Sequence, residues 1–208
     1  VKQIAEQIKD VKAILFAHTL GNPVEIRGIL SLACSHNVHV IEDCCEAAGT
    51  LIHGVSVGTF GHLGTFSFYT SHQMTALGGG GMVVTNRLSL ARRMKSLRDW
   101  GKVVTDGYVQ GETLTTYTGD YYPGYTYETV GFNFKLPDAN AAFGREQLKR
   151  LKGFAYQRAE NYTRLWECLE DIPWLQRIPI PDNDTSWFGY HLVLREGSRD
   201  AFGTYLEA

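Results

Sequence analysis

The amino-acid sequence predicts an α/β fold built on a mostly parallel sheet, and three consecutive segments carry this prediction. A continuous apolar run at residues 13–17 is typical of a strand buried on both faces. A Gly-Asn-Pro turn signal at residues 21–23 precedes a helix predicted over residues 24–36. A second strand is predicted at residues 38–43. Strand, helix and strand of these lengths form a βαβ unit, in which the two strands run parallel.

The neighbouring segments extend this pattern on both sides. Apolar residues with helical spacing precede the first strand, and a glycine-punctuated stretch after the second strand leads into a β-prone segment at residues 65–69. Four glycines then introduce a strand predicted at residues 82–85, and a helix with a basic face is predicted over residues 88–100. Residues 101–126 are rich in Gly, Thr and Tyr without periodicity, which predicts a long functional loop.

The last third of the chain predicts a long helix followed by a new unit. Asp138 suits the start of a helix that runs to about residue 169. Prolines at 173, 179 and 181 mark a boundary, and a strand is predicted over residues 187–194. The chain opens without Met on what reads as the end of a helix, and residues 201–206 read as an element just beginning. We therefore expect a central piece of a longer protein.

Composition narrows the partners and the compartment. The 208 residues carry a net charge of -2 and a pI near 6.4, which predicts no nucleic-acid partner and no anionic membrane surface. No apolar run approaches the roughly 20 residues that span a bilayer, so we also expect no membrane segment. Four cysteines in a chain of this size do not form a disulfide framework: Cys34, Cys44, Cys45 and Cys168. We expect a reduced, cytoplasmic protein.

Asp43 is the first candidate functional residue because it ends a buried apolar strand. In open α/β sheets, ligands gather at the carboxyl ends of the strands. A carboxylate there is costly unless it meets a cation or hydrogen-bond donors. In a pyridoxal phosphate enzyme that cation is the protonated pyridine nitrogen, whose charge keeps the ring an electron sink. Taken alone, the position suits a helix N-cap or a turn aspartate at least as well.

The segment after the next predicted strand favours the cofactor. Residues 65–72 read Thr-Phe-Ser-Phe-Tyr-Thr-Ser-His. This pattern resembles the signature of the DegT/DnrJ/EryC1/StrS family of sugar aminotransferases, in which the serine, here Ser67, binds the phosphate of pyridoxal 5'-phosphate. In that family a lysine five residues later bonds covalently to the cofactor. Here His72 occupies the lysine position, and no lysine occurs between Lys12 and Lys95.

The exchange of lysine for histidine resembles the nucleotide-sugar 3-dehydratase branch of that family. Further matches lie at residues 18–23, 41–45, 58–61, 98–101, 131–136 and 186–189. The resemblance implies the pyridoxal-phosphate-dependent transferase fold, of the aspartate aminotransferase type. Residues 1–137 would form part of the large cofactor-binding domain. Residues 138–208 would form the connecting helix and the start of a small α+β C-terminal domain.

The resemblance also implies roles for individual residues. Asp43 matches the partner of the pyridine nitrogen, and Cys45 matches a small residue packed beside the ring. Asn133 matches an asparagine that reaches the phosphate bound by the partner subunit, which implies a homodimer with shared active sites. For Asn133, a simple turn residue before the next helix is the local alternative.

His72 decides which reaction the resemblance implies. Imidazole cannot bond to an aldehyde as lysine does, so we expect a cofactor held without a covalent bond, as pyridoxamine 5'-phosphate. Histidine can take and give protons near neutral pH, because its ordinary pKa is about 6.5. We predict that His72 is catalytic in removing the C3 hydroxyl of a nucleotide-linked 4-keto-6-deoxyhexose, in dideoxysugar synthesis for lipopolysaccharide O-antigen or related glycans. A structural histidine is the alternative.

The cysteines separate two dehydratase routes. In the CDP-sugar enzymes of this branch, an iron–sulfur cluster uses a cysteine at the position of Cys45 and three more in the following loop. This chain has no cysteine between Cys45 and Cys168, and thiolates normally fill all four protein positions of such a cluster. We therefore expect no cluster, as in the GDP-sugar enzymes, which restore the cofactor with glutamate. The nucleotide of the substrate stays open.

Two other functions compete with the dehydratase. The chain can belong to an aminotransferase relative whose activity changed or was lost with the lysine, or to a noncatalytic sensor of cofactor or sugar. A metal site is not expected, because His36 and His39 lie at the other end of the second strand from Cys44 and Cys45.

Overall fold

The computed structural model describes residues 1–104, 125–176, 178–181 and 184–208 of the chain. The strands in these ranges are β1 (Ala13–Ala17), β2 (His39–Asp43), β3 (Leu51–Ile52), β4 (Val55–Ser56), β5 (Leu63–Ser67), β6 (Gly81–Val84), β7 (Leu175–Gln176) and β8 (Val193–Leu194). The α-helices are α1 (Lys2–Gln7), α2 (Ile26–Ser35), α3 (Leu88–Arg98), α4 (Asp138–Leu148), α5 (Leu151–Cys168) and α6 (Arg199–Glu207).

A mixed sheet with strand order β1-β2-β5-β6 forms the centre of the molecule. Strands β1, β2 and β5 run parallel, whereas β6 pairs antiparallel with β5 at the edge. The register places Ala17 beside Asp43 and Asp43 beside Thr65. The carboxyl ends of the three parallel strands therefore meet at one edge. The predicted α/β fold and its βαβ unit are confirmed, with an antiparallel edge strand added.

The core lies between α2 and the sheet. Helix α2 buries Ile26, Ile29 and Ala33, whose spacing of three and four residues presents one apolar stripe. This stripe joins two buried clusters, and Phe16 and Leu30 pack against both of them. The fully buried Cys44 belongs to the first cluster, directly behind the carboxyl end of β2. The packing thus fixes the segment that carries the candidate residues.

Three predicted elements differ from the structure. Strand β5 ends at Ser67, two residues earlier than predicted, so Tyr69 and His72 belong to a turn. The long helix is two helices, because Arg150 donates its backbone N–H to Gln147 in a tighter turn that interrupts it. The strand predicted over 187–194 is wrong except for its last two residues, since the backbone of Phe188 bonds to the loop before α2 instead of to a strand.

The other predicted strands and helices between residues 13 and 100 lie close to their predicted bounds. Most of the predicted loop at 101–126 falls outside the described residues. In the part of the chain that the structure describes, every helix is too short or too polar to cross a bilayer.

Candidate active site

Asp43 closes β2 at the edge where the parallel strands end. Its carboxylate is half-buried, and Oδ1 accepts hydrogen bonds from the Cys45 backbone N–H at 3.0 Å and the Thr65 hydroxyl at 3.4 Å. These two donors fix the plane of the carboxylate. Among the described residues, no N–H or O–H group donates to Oδ2. One carboxylate oxygen is therefore held in place while the other is available to a cation.

Ser67 lies on the same face of the sheet as Asp43. Thr65 is the register partner of Asp43, and Ser67 is two residues further along β5, so its side chain points to the same side. The Ser67 hydroxyl oxygen accepts the Tyr69 N–H at 3.2 Å. No residue in the described part of the chain accepts the hydroxyl proton, so Ser67 can donate it to a ligand. A carboxylate on β2 and a hydroxyl donor on β5 thus lie on one face of the sheet, at the carboxyl ends of their strands.

His72 follows in the turn after β5. Its backbone N–H donates to the Tyr69 carbonyl at 3.0 Å, which closes the turn. The imidazole contacts the rings of Tyr69 and Phe188, at centroid distances of 6.3 and 5.4 Å. Its Nδ1 is buried and has no hydrogen-bond partner among the described residues. Buried polar atoms are normally paired, so an open imidazole nitrogen here suits a group that meets its partner only when a ligand binds.

Cys45 lies beside the carboxylate. Burial, followed by its hydrogen bond to Asp43, raises the pKa of the Cys45 thiol to about 11. The side chain is therefore a neutral thiol near pH 7. It can pack beside a ring and support Asp43, but it is not a ready thiolate.

Asn133 is an exposed residue on a separate segment. It forms an isolated antiparallel bridge with Asp99. None of the described contacts joins it to Asp43, Ser67 or His72. Its neighbours Phe132 and Phe134 stack at 4.9 Å although their side chains stay 56% and 68% exposed. The predicted reach of Asn133 into a partner subunit stays a prediction.

Beneath this edge lies a buried carboxylate that the sequence analysis missed. Glu42 is fully buried and accepts four hydrogen bonds. Its Oε1 accepts the backbone N–H groups of Phe60 and Gly61 at 2.8 and 2.6 Å. Its Oε2 accepts the Gly58 N–H at 2.7 Å and His18 Nε2–H at 3.2 Å. Glu42, the residue before Asp43, therefore anchors the loop before β5 to strand β2.

These hydrogen bonds also favour the ionised form of the Glu42 carboxyl group. Burial raises the pKa of Glu42, but the hydrogen bonds from His18, Gly61 and Gly58 outweigh it and hold the pKa below its ordinary value. His18 Nδ1 accepts the Val24 backbone N–H at 3.2 Å, which leaves the ring proton on Nε2 for Glu42.

The same buried residues bring together side chains of the kinds that bind metal ions. Ligand atoms of His18, Glu42 and Cys44 lie within 4.8 Å of one another. However, the carboxylate and imidazole lone pairs already accept hydrogen bonds, and burial raises the pKa of the Cys44 thiol far above its ordinary value. The three residues are a satisfied hydrogen-bond network. A glutamate inside an otherwise apolar strand was the sequence signal that could have revealed it.

Comparisons with known proteins identify the family of this chain. The model of the family described as "DegT/DnrJ/EryC1/StrS aminotransferase family" matches residues 1–208, which confirms the predicted family. The lipopolysaccharide biosynthesis protein RfbH of Salmonella typhimurium is 39% identical over 90% of this chain and 45% of its own length. The dTDP-4-dehydro-2,6-dideoxy-D-glucose 3-dehydratase of Saccharopolyspora spinosa is 38% identical over 95% of this chain and 45% of its own length. The chain thus spans about half the length of these relatives.

A solved structure shares the fold. The E. coli GDP-4-keto-6-deoxy-D-mannose-3-dehydratase with bound hydrated PLP superposes with a TM-score of 0.82 at 26% identity, covering 99% of this chain and 54% of that one. The predicted aminotransferase-type fold is therefore confirmed. Aminotransferases are among the similar proteins as well, so similarity alone does not separate the two reactions.

Proposed function

Because this chain belongs to the DegT/DnrJ/EryC1/StrS aminotransferase family, we propose that the protein is a pyridoxal/pyridoxamine-phosphate-dependent dehydratase. It removes the C3 hydroxyl of a nucleotide-linked 4-keto-6-deoxyhexose. The observation that carries this proposal is His72, an imidazole with an unpartnered buried Nδ1, at the family's lysine position. The names of two relatives, a sugar 3-dehydratase and a lipopolysaccharide biosynthesis protein, support a role in dideoxysugar synthesis.

The residues at the strand edge fit the cofactor. The open Oδ2 of Asp43 suits a protonated pyridine nitrogen, and the free hydroxyl proton of Ser67 suits a phosphate oxygen. The neutral Cys45 thiol suits a position beside a ring. When bound, pyridoxamine phosphate supplies an amine for the sugar ketone and a ring that accepts an electron pair. No described residue of this edge carries an amine that could bond to an aldehyde.

His72 performs the proton transfers in this proposal. An imidazole ring can both accept and donate a proton through its two nitrogens. Donation to the C3 hydroxyl oxygen lets that oxygen leave as water, because water is a far better leaving group than hydroxide. Asp43 would stay beside the pyridine nitrogen and take no part in these proton transfers. In this proposal His72 transfers protons and Asp43 holds the pyridine nitrogen, and dehydration requires both roles.

A first consequence concerns the bond between protein and cofactor. With His72 at the lysine position, borohydride treatment of the protein loaded with pyridoxal phosphate is expected to leave residues 13–94 without a cofactor adduct. Peptide mass analysis reads the result. His72→Lys is the matched positive control, because it restores an amine at the same position. An adduct on a lysine of the wild-type active site would contradict noncovalent binding.

We further propose that the protein works without an iron–sulfur cluster. The chain offers no cysteine between Cys45 and Cys168, and Cys45 itself is a neutral thiol beside Asp43. The cofactor would then be restored with glutamate as the amine donor.

The proposed assembly is a homodimer in which Asn133 reaches the phosphate held by the partner subunit. Exposed apolar side chains surround it: Val130 is 92% exposed, and Phe132 and Phe134 are more than half exposed. Side chains of this kind are expected at a face that a second subunit covers.

One experiment distinguishes the proposed dehydratase from two other functions. The family description favours an aminotransferase, and loss of the lysine is compatible with a sensor that binds without turnover. The complete protein is incubated with pyridoxamine phosphate, glutamate and a panel of nucleotide-linked 4-keto-6-deoxyhexoses. Mass spectrometry then measures the masses of the sugar products. A dehydratase gives a ketosugar lighter by one oxygen atom, and the panel identifies the nucleotide. An aminosugar, or binding without turnover, would overturn the proposal.

A further inference from the structure

The segment Ser186–Phe188, here called the crossing segment, lies against the candidate site although it is distant in sequence. The ring of Phe188 contacts the His72 imidazole at a centroid distance of 5.4 Å and an angle of 59°. The carbonyl of Ser186 accepts a hydrogen bond at 3.2 Å from the side chain of Gln73, the residue after His72. The crossing segment therefore contacts both His72 and its neighbour.

Residues after β1 and just before β3 hold the crossing segment. The Ser186 N–H donates to the Thr50 hydroxyl at 3.0 Å, and the Phe188 N–H donates to the Leu20 carbonyl at 3.0 Å. Gly21 permits this approach. A Cβ atom on Gly21 would lie 2.3 Å from the Ser186 carbonyl oxygen, and its φ of +86° is one that glycine adopts without strain.

Helix α5 also holds this segment. Arg158 donates from Nη1 to the carbonyls of Trp187 and Phe188, at 3.0 and 2.8 Å. Trp187 is 3% exposed and stacks on Tyr162 with a centroid distance of 3.7 Å. Hydrogen bonds to a charged donor are about twice as strong as neutral ones, so the backbone of Phe188 is firmly positioned.

We propose that Phe188 is a positioning residue for His72. This inference rests on the proposed function, in which His72 moves the proton. The Phe188 ring offers no hydrogen bond, so its contact holds the imidazole without occupying Nδ1 and keeps water away from it. Nδ1 consequently stays open for the substrate. A displacement of about 1 Å at a reacting group can cost roughly 100-fold in rate, so a fixed neighbour matters for turnover.

A first test needs no activity. Diethyl pyrocarbonate labels accessible unprotonated imidazole nitrogens, and peptide mass analysis reports each histidine separately. Phe188→Ala is expected to raise the labelling rate of His72, while exposed His36 serves as the internal reference. Phe202→Ala is the matched control, because Phe202 lies on α6, contacts Trp174 and should leave His72 unchanged. If Phe188→Ala fails to fold, Phe188→Leu decides the question.

The second test is kinetic and uses whichever nucleotide sugar the wild-type protein dehydrates. Phe188→Ala is expected to lower kcat by roughly 10- to 100-fold with little change in KM, and Phe188→Tyr, which keeps the ring, to retain the wild-type kcat. Unchanged His72 labelling in Phe188→Ala and Phe188→Leu would overturn the proposal, as would an unchanged kcat. A wild-type protein that dehydrates no sugar would refute the proposed function instead, and the labelling test would then decide the positioning by itself.

Discussion

Replacing His72 by alanine is expected to slow the loss of the C3 hydroxyl by on the order of 10²–10⁴-fold, the usual contribution of a positioned acid–base group. The methyl group of alanine can neither take a proton nor donate one to the departing oxygen. The neighbouring rings of Tyr69 and Phe188 cannot substitute, since neither places an imidazole-like proton donor at this point. Product mass and initial rate, measured on the same nucleotide sugar, give the result.

His72→Lys changes the reaction as well as its rate. Lysine can deliver a proton to the sugar C4 and can hold the cofactor covalently, so part of the product is expected to become an aminosugar. Asp43→Asn is the informative comparison, because it should impair both reactions: the carboxylate supports the electron sink that each requires. If His72→Ala dehydrates at the wild-type rate, His72 is structural and the proposed mechanism is wrong.

Glu42→Gln is expected to lower the free energy of unfolding by about 1–3 kcal/mol for each buried donor that loses its acceptor. Both carboxylate oxygens of Glu42 accept two hydrogen bonds each. In glutamine one oxygen becomes an NH₂ group, which must then face two donors. His18 cannot adapt by moving its proton, since its Nδ1 already accepts the Val24 N–H. Urea unfolding at neutral pH measures the difference.

The matched control for this experiment is Glu146→Gln. Glu146 pairs with Lys149 on the surface of α4, where both side chains are more than 60% exposed. Water screens that pair, so the same chemical change should leave the urea midpoint nearly unchanged. Equal midpoints for Glu42→Gln and the wild type would show that the buried network does not stabilise the fold.

The pH dependence of the Glu42 contribution has a definite sign. Its pKa is lowered in the folded state, so the stabilisation is complete above the ordinary value of 4.5 and is lost as pH falls through the lowered pKa. The advantage of the wild type over Glu42→Gln should therefore be constant around neutral pH. It should shrink on acidification below about 4.5. A gap that widened in acid would contradict the charged state of Glu42.

The sequence by itself predicted the fold class and the family, which are confirmed, and it named Asp43, Ser67 and His72 as site residues, which stays a prediction. These predictions follow from local patterns: a continuous apolar run and the βαβ spacing indicate parallel strands, and a short contiguous motif contains both Ser67 and the histidine that replaces lysine. The expected burial of the first strand on both faces is wrong, because alternate residues of β1 are exposed and Leu15 is 67% exposed. The same locality explains the errors. The break between α4 and α5 depends on a single tightened turn, which helical periodicity does not record.

Only the tertiary structure decided what surrounds these residues. The four bonds of Glu42 come from His18 and the loop before β5, and the ring beside His72 comes from Phe188. Residues 187 and 188 read as the start of a strand because their side chains are apolar and β-prone, but their backbone groups bond to Leu20 and Arg158. Side-chain pattern predicts burial, whereas the partners of a buried polar group depend on which distant segments the fold brings together.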